Sequence, residues 1–113
     1  MPVRMVPLVT GEFYHIFNRG INRQQTFTTE HDYLRAIQTL IYYRPIANKL
    51  KYSNFLGRPK DERQSILKKL ARSPHKITVI AYCLMPNHFH LLLRQEDEGG
   101  ISKYLADFQN SYT

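Results

Sequence analysis

Two histidines separated by one residue, His88 and His90, open the run His-Phe-His-Leu-Leu-Leu-Arg. In an extended chain successive side chains alternate between faces, so both imidazoles project to one side and Phe89 to the other. Two ring nitrogens held on one rigid strand supply half of a divalent-metal site. Spacing alone describes a surface pair or a packed pair equally well, and neither histidine has an acidic neighbour in sequence. The single cysteine, Cys83, allows no disulfide framework or cysteine-based zinc site within one chain. Sitting in an apolar run, it is expected to be a small buried hydrophobe in a strand.

Several elements must hold these residues. Gly-Glu-Phe-Tyr-His-Ile-Phe-Asn-Arg-Gly, from Gly11 to Gly20, is an aromatic and β-branched run bounded by glycines, which predicts a first strand over Glu12–Arg19. Phe13, His15 and Phe17 share one face and Tyr14, Ile16 and Asn18 the other. Because both faces carry apolar groups, this strand is expected to be central and covered on both sides, with His15 expected as a packed core histidine rather than as a neighbour of the histidine pair from the adjacent strand. Thr28, Thr29, Glu30 and Asp32 form a polar, acidic helix start, and Tyr33, Ile37, Leu40 and Ile41 recur at helical spacing. A helix over Thr29–Tyr43 follows, ended by Pro45.

Residues 45–75 are polar and basic, punctuated by Gly57 and Pro59, with alternating charges around Ile66, Leu67 and Leu70. This stretch reads as a short helix on an extended connection, either a solvated insertion or a basic DNA-contacting arm. Lys76–Leu84 and His88–Arg94 then form two strands joined by a tight turn at Met85-Pro86-Asn87. After Gly99-Gly100, the spacing of Ile101, Tyr104, Leu105 and Phe108 predicts a last helix from Ile101 onward. The order is α+β, a ferredoxin-like βαββα(β) unit with an antiparallel sheet, whose C-terminal strand is expected to be absent.

The 113 residues, 42% hydrophobic, suit one domain over residues 1–113 with a modest core. Sixteen Lys and Arg against nine Asp and Glu give a net charge of +7, which points toward a polyanionic partner. Eight tyrosines and six phenylalanines interleaved with cations suit base stacking on a basic surface, although most will be core. No apolar run reaches the ~18 residues a membrane span needs, and Met1-Pro2-Val3-Arg4 does not begin a secretory signal. A cytoplasmic protein with no membrane partner is expected.

Met85-Pro86-Asn87-His88-Phe89-His90, together with the upstream Tyr14-His15-Ile16-Phe17-Asn18-Arg19-Gly20, resembles the two signature segments of IS200-like transposases, including the REP-associated tyrosine transposases. The resemblance runs from Gly11 to Thr113 and is uninformative over residues 45–75. These are HUH-type, single-tyrosine enzymes. The resemblance implies that His88 and His90 bind a divalent ion, Mg²⁺ or Mn²⁺, beside a scissile phosphate of single-stranded, hairpin-forming DNA. A tyrosine attacks that phosphate and conserves the bond as a phosphotyrosine for rejoining.

Asn18 and Arg19 match the family segment, where an exposed amide and guanidinium suit contact with phosphate or a base edge; Asn beside Gly also suits a plain turn. Arg23 extends the same basic edge. In the family the nucleophilic tyrosine lies on a further helix after another strand, with a polar third metal ligand one helical turn beyond it. Both positions would follow Thr113, so a truncated, inactive domain is one expectation. Tyr112 is the candidate nucleophile within these residues, with Tyr104 and Tyr82 behind it. The resemblance further implies a homodimer. Two other classes remain open: a non-catalytic single-stranded nucleic-acid binder, against which counts the lack of an RNP-type Lys/Arg-Gly-Phe-x-Phe string, and a dimerisation domain using an unpaired sheet edge.

Overall fold

Three runs rich in aromatic and β-branched residues form strands β1 (Phe13–Arg19), β2 (Ile77–Met85) and β3 (His88–Gln95). Periodic apolar residues form helices α1 (Glu30–Tyr42), α2 (Tyr52–Leu56), α3 (Lys60–Ala71) and α4 (Gly100–Asn110). The computed structural model describes residues 7–19 and 27–111, with Asn18 and Arg19 described by backbone alone. The strands make one antiparallel sheet in the order β1-β3-β2, and the chain is an α+β fold of ferredoxin-like order.

Among the described residues β1 is therefore an edge strand, not a central one, and one of its faces is open. Phe13 and Phe17 are 57% and 50% exposed. The central place belongs to β3, whose two ladders are both filled. Phe89, Leu91, Leu93 and Gln95 of β3 are buried, alternating with half-buried residues along the strand. The buried set packs with Ala36 and Leu40 of α1 and with Ile101, Tyr104, Leu105 and Phe108 of α4. One sheet face is thus covered by helices and the other faces outward.

Local chemistry fixes the helices. Thr29 caps α1: its hydroxyl accepts from the Asp32 amide, while the Asp32 carboxylate accepts from the Thr29 amide. The Asp32 carboxyl also takes the Thr28 amide and hydroxyl, and these donors hold it below the usual carboxylate range. Residues 46–74 leave and return at one neck, where Pro45 bridges His75 and the Lys76 amide donates to the Arg44 carbonyl. Within this stretch α3 has no buried residue, whereas Tyr52 and Phe55 of α2 pack on Tyr42. Residue pattern alone predicts one helix here; α2, only five residues long and without a side-chain cap, gives little signal.

The start of α4 is pinned to the start of β2. The Lys76 carbonyl accepts from the Glu96 and Asp97 amides, and the wholly buried Gln95 side chain accepts from the Ile101 amide while donating to the Leu8 carbonyl. Gly100 sits against Lys76, where a β-carbon would collide with the Lys76 carbonyl oxygen, whereas Gly99 (φ 70°) has open space around it. Gly100→Ala is therefore expected to lower stability by about 1–3 kcal/mol through overpacking of fixed backbone. Gly99→Ala meets only left-handed strain, of roughly 1–2 kcal/mol. Urea denaturation of both variants checks this, and tolerance of alanine at 100 would refute the close approach.

Candidate functional site

The outward sheet face collects the residues with chemistry. On β3 it carries His88, His90, Leu92 and Arg94, the complement of the buried set. The ladder pairs His90 with Phe17 of β1 and Cys83 of β2, and His88 with Met85. The two imidazoles share one face, as their spacing requires, with ring centroids 5.3 Å apart and planes at 83°. Both are half-buried, so solvent and a ligand can reach them.

His15 joins them. Its Nε2 lies 3.0 Å from His90 Nδ1, and the two rings are within 8° of parallel at a centroid distance of 5.1 Å. Those values describe rings set edge to edge in nearly one plane, sharing one proton between facing nitrogens. His15 is exposed, so the expected packed core histidine is corrected. The reason is the strand order: with β1 at an edge, the face bearing Phe13, His15 and Phe17 has no layer over it among the described residues. Alternation along β1 places His15 on the same strand face as Phe17, but only the β1–β3 register brings it to His90.

Cys83 is also exposed, against expectation. The register of β2 shifts between Val79 and Ala81, with Ile80 the additional residue. Ile77 and Val79 pair with the inward Gln95 and Leu93, but beyond the shift Tyr82 and Leu84 pair with the inward Leu91 and Phe89. Cys83 is thereby turned to the imidazole face. Nothing in the run Ile-Thr-Val-Ile-Ala-Tyr-Cys-Leu marks that extra residue.

The hydrogen bonds decide which ring nitrogens can bind a cation. His88 Nδ1 lies 2.8 Å from Asn87 Oδ1, an acceptor, so Nδ1–H donates and Nε2 keeps its lone pair. For His90 the equivalent state requires that Nδ1–H donate to His15 Nε2; with the opposite direction, His90 Nε2 would carry the proton. Among the described residues no group of three His, Cys, Asp or Glu side chains is arranged to hold a metal ion. The imidazole pair thus leaves two ring nitrogens that could serve as donors, and the described residues do not supply the rest of a metal site.

The tyrosines divide sharply. Tyr104 is wholly buried in the helical layer, its hydroxyl donates to the Leu40 carbonyl at 2.6 Å, and burial pushes its phenol well above the ordinary value. Tyr82 pairs with the inward Leu91, so it too projects away from the imidazoles. Neither can serve as a nucleophile beside His88 and His90. Tyr112 and Arg23 lie outside the described residues, as do the side chains of Asn18 and Arg19. The backbone of β1 pairs position 18 with Phe89 and position 19 with His88. Arg94 is a further cation on this face, its guanidinium 5.9 Å from the Phe13 ring and paired with Glu96 at 2.6 Å.

The sequence model of the family described as "Transposase IS200 like" matches residues 9–113, which takes in the whole sheet, the imidazole pair and every helix. The chain belongs to the IS200-like transposase family. No curated protein and no solved structure matches it. Family membership makes this a transposase-type domain whose partner is DNA. Among the described residues no helix is long and apolar enough to cross a membrane.

The facing His15 and His90 nitrogens generate a prediction that needs no ligand. In metal-free protein near neutral pH, long-range ¹⁵N correlation spectra should show His90 protonated at Nδ1 and bare at Nε2. In His15→Phe the acceptor is gone, and the protonated-Nε2 form should rise to a substantial fraction. An unchanged tautomer would show that His15 does not set it.

Proposed function

We propose that this chain is the nucleic-acid-processing domain of a single-tyrosine transposase, cutting and rejoining single-stranded DNA, with His88 and His90 holding a divalent cation, Mg²⁺ or Mn²⁺. The observation that carries this reading is the imidazole pair on the uncovered sheet face, half-exposed and oriented by Asn87 and His15. Imidazole is a borderline nitrogen donor, not the oxygen ligand that such ions prefer, so the pair would hold the ion only with water and phosphate oxygens completing its shell. The bound cation would offset negative charge developing on the scissile phosphate.

The chain's own residues do the rest. Asn87 and His15 hold the ligand rings in orientation, so little reorganisation is needed when a phosphate arrives. Phe17, packed against both histidines, and Phe13 beneath Arg94 offer aromatic surface on which unpaired bases can stack. Asn18 and Arg19 at the end of β1, together with Arg23 outside the described residues, are assigned to the DNA backbone or a base edge. The attacking phenol comes from a tyrosine outside the described residues: Tyr112, or one beyond Thr113. Attack forms a phosphotyrosine and releases a 3′-hydroxyl, which reverses the step on rejoining. A hairpin-forming target, a homodimer that shares the tyrosine between subunits, and a cytoplasmic setting belong to the same reading.

A second reading is favoured by one observation, that neither Tyr82 nor Tyr104 stands with the imidazoles. On that reading the open face, with Phe13, Phe17 and Arg94, holds single-stranded DNA without cutting it.

End-labelled single-stranded and hairpin oligonucleotides incubated with the protein and Mn²⁺ separate the two. The first reading expects a denaturant-resistant protein–DNA product, lost in EDTA. His88→Ala and His90→Ala should each lower its rate by at least ~10²-fold, the equivalent of losing several kcal/mol of charge stabilisation. Mn²⁺ binding followed by paramagnetic resonance should weaken in the same variants. Cleavage that survives EDTA or the double variant would remove the metal from the mechanism; salt-sensitive binding without any linked product supports the second reading.

A further inference from the structure

A second concentration of positive charge lies in the helical layer, whereas the imidazoles lie on the sheet's outward face. A groove of about 630 Å³ is walled by Arg35 of α1, by Lys49 and Lys51 before α2, and by Lys103 and Asp107 of α4. Its single carboxylate, Asp107, is already engaged: Lys76 Nζ lies 3.3 Å and Lys103 Nζ 2.8 Å from its two oxygens. Arg35, Lys49 and Lys51 have no carboxylate partner among the described residues.

Arg35 is built in, not merely displayed. Its guanidinium lies over the Tyr52 ring at 5.1 Å, and Tyr52 is itself fixed by donating to Gln38 and by the Tyr43 hydroxyl accepting its amide. Arg35 Nε is buried without a hydrogen-bond partner among the described residues, and so is Nε of Arg63 on α3. Arg63 lies near enough to Tyr52 to act on its phenol electrostatically, as Arg35 does. Two guanidiniums thus act on one neutral ring. Buried N–H groups in native proteins nearly always have an acceptor, and a planar guanidinium is matched best by carboxylate or phosphate oxygens.

We propose that this groove binds successive phosphates of a DNA backbone, with Arg35 as anchor and Lys49, Lys51 and Lys103 along its walls. The cations come from three separate segments of chain, a spread that suits a linear polyanion better than one compact ion. A free phosphate would share the chemistry of a single one of these positions. The site rests on the family's DNA partner and is independent of the metal assigned to the imidazole pair.

The test is equilibrium binding of fluorescently labelled single-stranded and hairpin DNA in EDTA, read by anisotropy across a salt series. Arg35→Gln/Arg63→Gln, which removes the anchor and the second guanidinium acting on Tyr52, should weaken binding at least about tenfold at low salt and flatten the log–log salt dependence by roughly one, for the phosphate that Arg35 no longer neutralises. Because those arginines border the packed Tyr52, the exposed pair Lys49→Gln/Lys51→Gln serves as a second variant that leaves the core intact, with the same direction expected. Unchanged affinity and slope in that second variant would overturn the proposal, whatever the arginine variant does. Inorganic phosphate supplies the other arm: saturable binding of phosphate alone at low millimolar concentration, with DNA affinity unaffected by either variant, makes this a compact-anion site and also overturns it. His88→Ala/His90→Ala should keep the groove's share of the salt slope, so cleavage that survives in that variant with the slope retained counts against the metal reading alone.

Discussion

Everything in this molecule hangs on the two-residue repeat of β3. As the one strand with neighbours on both sides among the described residues, it has its backbone hydrogen bonds fixed in two ladders, and it cannot slide without turning Leu91 and Leu93 out of the core. Burial of those side chains against α1 and α4 is therefore what holds His88 and His90 outward. The apolar layer and the imidazole face are two readings of one register. A mutation that loosens the first will misplace the second, though it touches neither ring.

The division of labour between the two sides of the sheet follows from the same constraint. The outward face, with no described helix over it, carries three histidines, two exposed phenylalanines and an arginine. The helical side carries the core, and at its margin a groove rich in cations. The two surfaces thus differ in character. One combines ring nitrogens with aromatic surface, and the other relies on guanidinium and ammonium groups.

Much of this was legible in the sequence, and what was not has a physical reason. The strand and helix order, the hairpin and the shared face of His88 and His90 follow from periodicities of two and 3.6, which a single chain displays locally. The start of α1 was legible because Thr29 and Asp32 are a reciprocal cap. The position of β1 was not, because strand order is decided by which edges meet, and aromatic residues on both faces look the same in a central strand as on an open ligand-binding face. His15 was misread for that reason, and its contact with His90 spans 75 residues of sequence. Cys83 was misread because a bulge, which leaves no mark in the residue types of β2, reverses the alternation halfway along it.

That bulge also limits how this protein can diverge. Ile80 acts as a parity bit for β2: drawn into the ladder as an ordinary paired residue, it would force either Ile77 and Val79 to exchange places with solvent-facing groups or the thiol and thioether of Cys83 and Met85 to be swapped for a phenol and an isobutyl group beside the imidazoles, whereas its deletion would leave both halves of the strand on their present faces. Away from that bulge, a one-residue change of length that slips the register reverses packing and surface chemistry together. Apart from the bulge residue, drift here is confined to side-chain replacement at constant length, whereas the stretch beyond the Pro45–His75 neck has its ends already joined and is free to lengthen or shrink.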